Sequence, residues 1–329
     1  MNVPLWAWAV TIAAIVGFFV FDFYAHVKTP HAPSLRESGL WSAFYITLAI
    51  LFGFVVMGIW GTRYGGEYFA GYITEKALSV DNLFVFVIIM ATFAIPREYQ
   101  QKVLLIGIGM ALVMRAGFIA VGAAAINSFS WVFYIFGAFL LYTAFKLMKE
   151  AGHEEEVTEE RDSKVVRFAR RFLPTTEEYD GDKLVTKVDG KRLFTPLALA
   201  LVVIGFTDLL FALDSIPAIY GLTREPYIVF TANAFALLGL RQLYFLIGGL
   251  LERLVYLSHG LSIILGFIGV KLVLHALHEN DLPFINSGQP VHVPEVTTGV
   301  SMVFIVAVLA TVTIASLVKT RHEKVRELS

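Results

Sequence analysis

The sequence predicts an all-α, multi-pass transmembrane helical bundle of about nine spans, containing an inverted repeat of two three-helix units. Three observations predict it. Hydrophobic residues make up 57% of the 329 and charged residues only 16%, with a mean hydropathy of +0.69, a balance foreign to soluble domains. Apolar runs of about twenty residues, enough to cross about 30 Å of hydrocarbon, recur nine times along the chain. Two of those runs carry pairs of acids at the same spacing, as internal repeats do.

Taken in order, the runs fall at about 4–27, 40–62, 67–94, 101–126, 128–148, 194–220, 226–248, 256–276 and 298–318. No Lys or Arg precedes the first, and it is longer than a signal-peptide core, so it reads as a retained helix. Of the 26 Lys and Arg, twenty fall at one set of alternate ends and two, Arg63 and Arg224, at the other. Lys76, Arg115, Arg241 and Lys271 fall within spans. Because cytoplasmic loops are enriched in basic residues, the expected topology in the cell membrane places the N-terminus outside and the C-terminus in the cytoplasm. The organisation is then two N-terminal helices in 1–65, a first unit in 66–148, a cytoplasmic loop in 149–193 and a second, inverted unit in 194–276. An outer loop, the last helix and a basic tail follow in 277–329. The lack of Cys excludes disulfides, thiolate metal ligands and cysteine nucleophiles. The net charge of −1 says nothing about partners; the lipid bilayer is the partner that composition demands, and no nucleic acid is expected.

The loop has three parts. HEEEVTEERD (153–162) reads as solvated chain, and SKVVRFARRFL (163–173) as a basic amphipathic helix on the inner membrane surface. In LVTKVDGKRLF, Asp189-Gly190 between short alternating runs is a hairpin signal.

Charge within the spans is the functional clue. EKALSVDNLF (75–84) puts Glu75, Lys76 and Asp81 in the third span, and TDLLFALDSIPA (207–218) puts Asp208 and Asp214 in the sixth at the same spacing. Arg115 and Arg241 then fall at similar depth in the next helices, and the third helices end near FKL (145–147) and VKL (270–272). Three crossings per unit invert the second copy. The third and sixth spans therefore run antiparallel, and at about 1.5 Å per residue Glu75 is expected level with Asp214, and Asp81 with Asp208, as a ladder. Glu75, Ser79 and Asn82 share a helical face, as do Asp208 and Ser215, with Asp81 and Asp214 on the flanks. Pro217 cannot donate to the Leu213 carbonyl and is expected to loosen the turn holding Asp214.

An acid at the bilayer centre costs on the order of 2.5–3.5 kcal/mol, so four of them need a reason. Neutralisation by Lys76, Arg115 and Arg241 in a buried structural network is one reading; an ion pathway, in which these cations balance the charge of the empty site or gate it, is the other. Carboxylates with Asn and Ser oxygens suit a hard divalent cation, Mg, Ca or Mn, and the composition does not choose among them. Lys146 and Lys271 read as snorkelling at span ends, and Asp22 as an interfacial residue at the end of the first span. The segment with His275, His278, Glu279, Asp281, His292 and Glu295 reads as solvated outer loop. Gly107, Gly109 and Gly117 permit close packing of the fourth span.

Residues about 66–276, with EKALSVDNLFVF, IFGAFLLYTAFKL, TDLLFALDSIPAI and ANAFALLGLRQLYFL, resemble the TerC family of membrane proteins, and its pH-responsive Alx type most. The resemblance implies Mn(II) efflux, with Glu75, Asp81, Asp208 and Asp214 matching the family's acidic positions; Ser79, Asn82 and Ser215 are added from spacing. The expected protein is a transporter rather than an enzyme, with no permanently bound cofactor, Mn(II) as cargo and protons as coupling ion. The alternative is an accessory membrane protein serving metalation of secreted proteins or tellurium and membrane-stress resistance. An intramembrane aspartyl protease is disfavoured because the YD and GxGD pair is absent, and a tellurite carrier because an oxyanion path calls for basic groups.

Overall fold

The computed structural model describes residues 1–27, 33–129, 131–150, 174–176, 179–188, 191–247, 255–280 and 282–327. Helix α1, Leu5–Asp22, continues as a π-helical turn, Phe23–Val27. Then come α2 (Leu35–Trp60), α3 (Thr62–Thr92), α4 (Arg97–Ser128) and α5 (Val132–Glu150). Strands β1 (Val185–Val188) and β2 (Lys191–Phe194) pair antiparallel, Val188 opposite Lys191. The second half holds α6 (Pro196–Tyr220), α7 (Pro226–Leu237), α8 (Leu240–Ile247), α9 (Leu257–His278) and α10 (Thr298–Glu327). The turn at Asp189-Gly190 and the whole of 153–173, with its expected amphipathic helix, lie outside the described residues.

Among the described residues, eight segments are long and apolar enough to cross a membrane, α7 and α8 together making one of them. The ninth is α3, 31 residues long, whose hydropathy is cut by Arg63, Glu67, Glu75, Lys76 and Asp81. The bundle has a hairpin end, where β1 and β2 lie, and a far end. Local chemistry marks the helix starts. Ser34 and Glu37 close a capping box at α2, and Pro196 and Pro226 begin α6 and α7, where a missing N–H costs nothing. The α6 helix runs unbroken through Pro217: only one turn follows this proline, so a single lost hydrogen bond does not open the helix. The interruption falls instead at Leu238 and Gly239, between α7 and α8, where Gly239 takes φ +79 against Tyr45.

Packing exchanges the two halves. The α3 helix lies on α7, α4 on α6, α3 on α6, and α5 along α9. The last pair comes close because Gly137 and Gly269 face each other: a Cβ on Gly137 would stand 3.0 Å from the Gly269 carbonyl, and one on Gly269 3.1 Å from that of Gly137. Of the glycines expected to do this in α4, Gly107 faces Ile204, whereas Gly117 meets nothing within 4 Å.

Candidate functional site

The centre of the bundle is an ion cluster. Glu75 on α3, Arg115 on α4 and Asp208 on α6 are 0%, 0% and 1% exposed. Arg115 grips Asp208 through the two donors of one guanidinium edge, Nε to Oδ2 at 3.1 Å and Nη2 to Oδ1 at 2.9 Å, while Nη1 donates to Glu75 Oε1. Such bidentate charged pairs are the strong form of the hydrogen bond. Ser79 donates to Glu75 at 3.5 Å and Ser215 sits 3.4 Å from Nη1. Glu75 Oε2, buried, has no hydrogen-bond partner. Glu75 and Arg115 stand thirteen residues from the far ends of α3 and α4, and Asp208 twelve from that of α6. At about 1.5 Å per residue all three lie roughly 18–20 Å from that end, deep within helices of membrane length.

This geometry replaces the expected ladder. Glu75 and Asp208, placed on different rungs by the sequence reading, share one guanidinium. The reason is the crossing of α3 and α6, which brings the first acids of the two motifs together. Because the helices are antiparallel, the second acids diverge: Asp81 lies about 9 Å along α3 toward the hairpin end, and Asp214 about 9 Å along α6 toward the far end. By their places along α3 and α6 the acids fall on three levels. Asp214 accepts from Thr143 of α5 at 3.0 Å, on the flank of α6 where the spacing put it. The side chain of Asp81 lies outside the described ones. Asn82 is buried on α3, 4% exposed.

The three cations separate. Arg115 alone meets Glu75 and Asp208; Lys76 donates to the Ala236 carbonyl at 3.0 Å, where α7 ends. Arg241 pairs with Asp22 at 3.2 Å, and Asp22, expected at the interface, is only 4% exposed. Lys146 is exposed, and Lys271, half-buried, donates to Ser301 in the first turn of α10 at the far end. His275 and His278 belong to the last turn of α9 rather than to a loop. Arg224 binds Glu279 and His275, and His278 lies 3.3 Å from Glu295. Thr74 and Asn233, both 0% exposed, carry side-chain atoms without partners; the sequence reading passed over them because one buried Thr or Asn looks like ordinary packing. Among the described residues, no three His, Cys, Asp or Glu side chains converge as a metal cage would.

Among the described residues, eight apolar membrane-length segments and the polar α3 around a buried ion cluster define a polytopic integral membrane protein with a polar centre. The profile of the integral membrane protein TerC family matches residues 60–324, and the chain belongs to this family. It is 52% identical over 310 residues to an uncharacterised membrane protein of Mycobacterium tuberculosis, covering 94% of this chain and 78% of the relative. With the thylakoid membrane protein TERC of Arabidopsis thaliana it shares 45% over 232 residues, 70% of this chain and 60% of the plant protein. A putative membrane-bound redox modulator Alx of Shigella flexneri is 35% identical over 307 residues, 90% and 89% of the two chains. No solved structure matches the chain significantly.

Proposed function

We propose that this protein carries a divalent cation across the membrane and exports Mn(II) from the cytoplasm. One observation carries the reading: two fully buried carboxylates, Glu75 of α3 and Asp208 of α6, meet deep in the bundle on a single guanidinium. As mere glue such a cluster is poor value, since apolar packing often stabilises as well as a buried ion pair. A path for a doubly charged ion has a use for two carboxylates, and with Ser79 and Ser215 they form a set of hard oxygen donors. In this reading Arg115 is the counter-charge of the unloaded site. The incoming ion takes the carboxylates as the guanidinium withdraws, and Glu75 Oε2 is the oxygen first open to it.

Three further features support the reading. The staggered acids Asp81, Glu75 with Asp208, and Asp214 offer successive levels along one direction. The exchange of packing, with α3 on α7 and α4 on α6, is what a two-fold relation between inverted units produces, and such relations accompany alternating access. Arg97, Lys102, Lys187, Lys191 and Arg192 gather at the hairpin end, which fits that end facing the cytoplasm. Mn(II) is the ion the family resemblance implies, and proton exchange is the proposed drive. The redox role in the name of the Shigella relative finds no thiol here, because the chain has no Cys.

The test is Mn(II) flux in sealed liposomes holding only the purified protein, with internal pH recorded and Mg and Ca as competitors. Wild type is expected to move Mn(II) with opposing proton movement, and Glu75→Gln and Asp208→Asn to abolish both. A wild type that moves no ion overturns the reading in favour of the accessory role in metalation or membrane-stress resistance.

A further inference from the structure

A second polar cluster lies nearer the hairpin end, where α1 and α2 meet α4 and α8. Asp22, the last residue of α1, accepts from Tyr45 of α2 at 2.7 Å and from Gln242 of α8 at 3.4 Å, beside Arg241. Arg241 Nη1 donates in turn to Gln101 of α4 at 2.5 Å. Four helices thus converge on one carboxylate and one guanidinium.

What sets the cluster apart is the number of polar atoms it leaves over. Ser38, Ser42 and Tyr45 follow the i, i+4, i+7 spacing and form one buried stripe on α2, at 1%, 5% and 1% exposure. The hydroxyls of Ser38 and Ser42, the Gln242 amide oxygen and Arg241 Nε have no hydrogen-bond partner. Within a membrane, such groups are satisfied by protein or by something that enters a polar cavity. A small cavity, about 10 Å³, adjoins them, lined among others by Ser38, Gln101, Arg241 and Gln242. That is room for one water-sized species.

We propose that this cluster is a second divalent-cation station on the hairpin side of the central one, an inference that rests on the cation-transport reading. Asp22 supplies the charge, and Ser38, Ser42, Gln242 and Gln101 supply neutral oxygens, a hard-donor set. Arg241 holds the carboxylate when no ion is there, as Arg115 does at the centre. A cation is the favoured occupant, because three of the unpartnered atoms are oxygens, Glu37 lines the cavity, and Asp22 lies behind it against Gln242 and Arg241, so that two carboxylates face one guanidinium. The two stations share an interrupted span: Lys76, next to Glu75, binds the Ala236 carbonyl before the break at Gly239, and Arg241 follows it. Asp22, Ser38, Ser42 and Tyr45 all precede the residues matched to the family.

The absence of native Cys allows a single reporter. A fluorinated label on Pro33→Cys, at the rim of the cavity, is read by ¹⁹F NMR in the purified full-length protein with Mn(II), whose paramagnetism broadens nearby signals, and with Mg(II) as diamagnetic control. Broadening is expected with Mn(II) and is expected to persist in Asp208→Asn. It is expected to be lost in the double variant Asp22→Asn with Arg241→Gln, which removes both charges together and so leaves neither unpaired. A signal that Mn(II) leaves sharp, or broadening that survives the double variant, overturns the station. Ion flux by wild type together with a sharp signal removes this inference alone and leaves transport standing. Broadening without flux removes the transport reading and leaves a binding site at Asp22.

Discussion

Arg115 and Arg241 look equivalent in the sequence, each a lone arginine in the span that follows an acid-bearing one, yet they sit in unlike places. Arg115 spends all three guanidinium nitrogens on partners and meets two carboxylates. Arg241 meets one carboxylate and one amide and keeps Nε without a partner. The difference begins in the backbone. The α4 helix is continuous for 32 residues, so Arg115 reaches the crossing of α3 and α6. The corresponding span breaks at Gly239, and the shifted α8 turns Arg241 toward α1 and α2. Counter-charge number, rather than residue type, decides how firmly an arginine is fixed in hydrocarbon.

The largest expected effect follows from that count. Arg115→Met leaves Glu75 and Asp208 buried with no counter-charge, a change of the kind that costs about 3–5 kcal/mol. Arg241→Met leaves only Asp22, which still accepts from Tyr45 and Gln242, so its loss should sit at or below the lower end, about 3 kcal/mol. Denaturant unfolding in mild detergent measures both. Equal losses, or the reverse order, would break the comparison.

A smaller effect tests the origin of the asymmetry. Gly239→Ala puts a side chain at φ +79, with its Cβ 2.8 Å from that of Tyr45. Holding a non-glycine residue in such a conformation costs about 1–3 kcal/mol. The substitution should disturb the Asp22 cluster and spare the central one, which is seen if Mn(II) broadening at position 33 changes while Arg115-dependent stability does not. Disturbance of both clusters alike would mean that the break does not isolate them.

Much of this was legible beforehand, for reasons that also explain the rest. Span length and basic-loop bias are one-dimensional signals, and the helices fall where the apolar runs do. Helical periodicity put Glu75 with Ser79, Asp208 with Ser215, and Asp214 on a flank, where Thr143 meets it. Pairing between helices was not legible, because it depends on where two axes cross. Glu75 was therefore matched to Asp214 rather than Asp208, and Arg241 to the wrong acids. Asp22 read as interfacial because nothing in the sequence of α1 shows that α2, α4 and α8 close over it. The break at Gly239 carried a signal, a lone Gly in LLGLRQ, that an equally plain proline at 217 drew attention away from.

The smallest expected effect lies at the surface of the hairpin end, where the opposite electrostatic regime holds. Lys102, next to Gln101 in the chain, donates to Asp182 at 2.7 Å, with both side chains partly in water. Lys102 holds the Asp182 carboxyl below its ordinary range, and Thr186 and Lys183 do the same for Asp180. A carboxyl lowered on folding adds stability that is whole above its unfolded value, and that stability fades as pH falls through the folded one. Amide protection in β1 and β2, taken relative to the intrinsic exchange rate at each pH, should therefore hold down to the ordinary carboxylate range and fall below it. Asp182→Asn should remove Lys102's part of this dependence while changing global stability by less than about 1 kcal/mol, because a solvated pair is screened. A loss as large as that of Arg241→Met would show that water does not weaken ion pairs at this end, and that the contrast between the two arginines has another cause than burial and counter-charge.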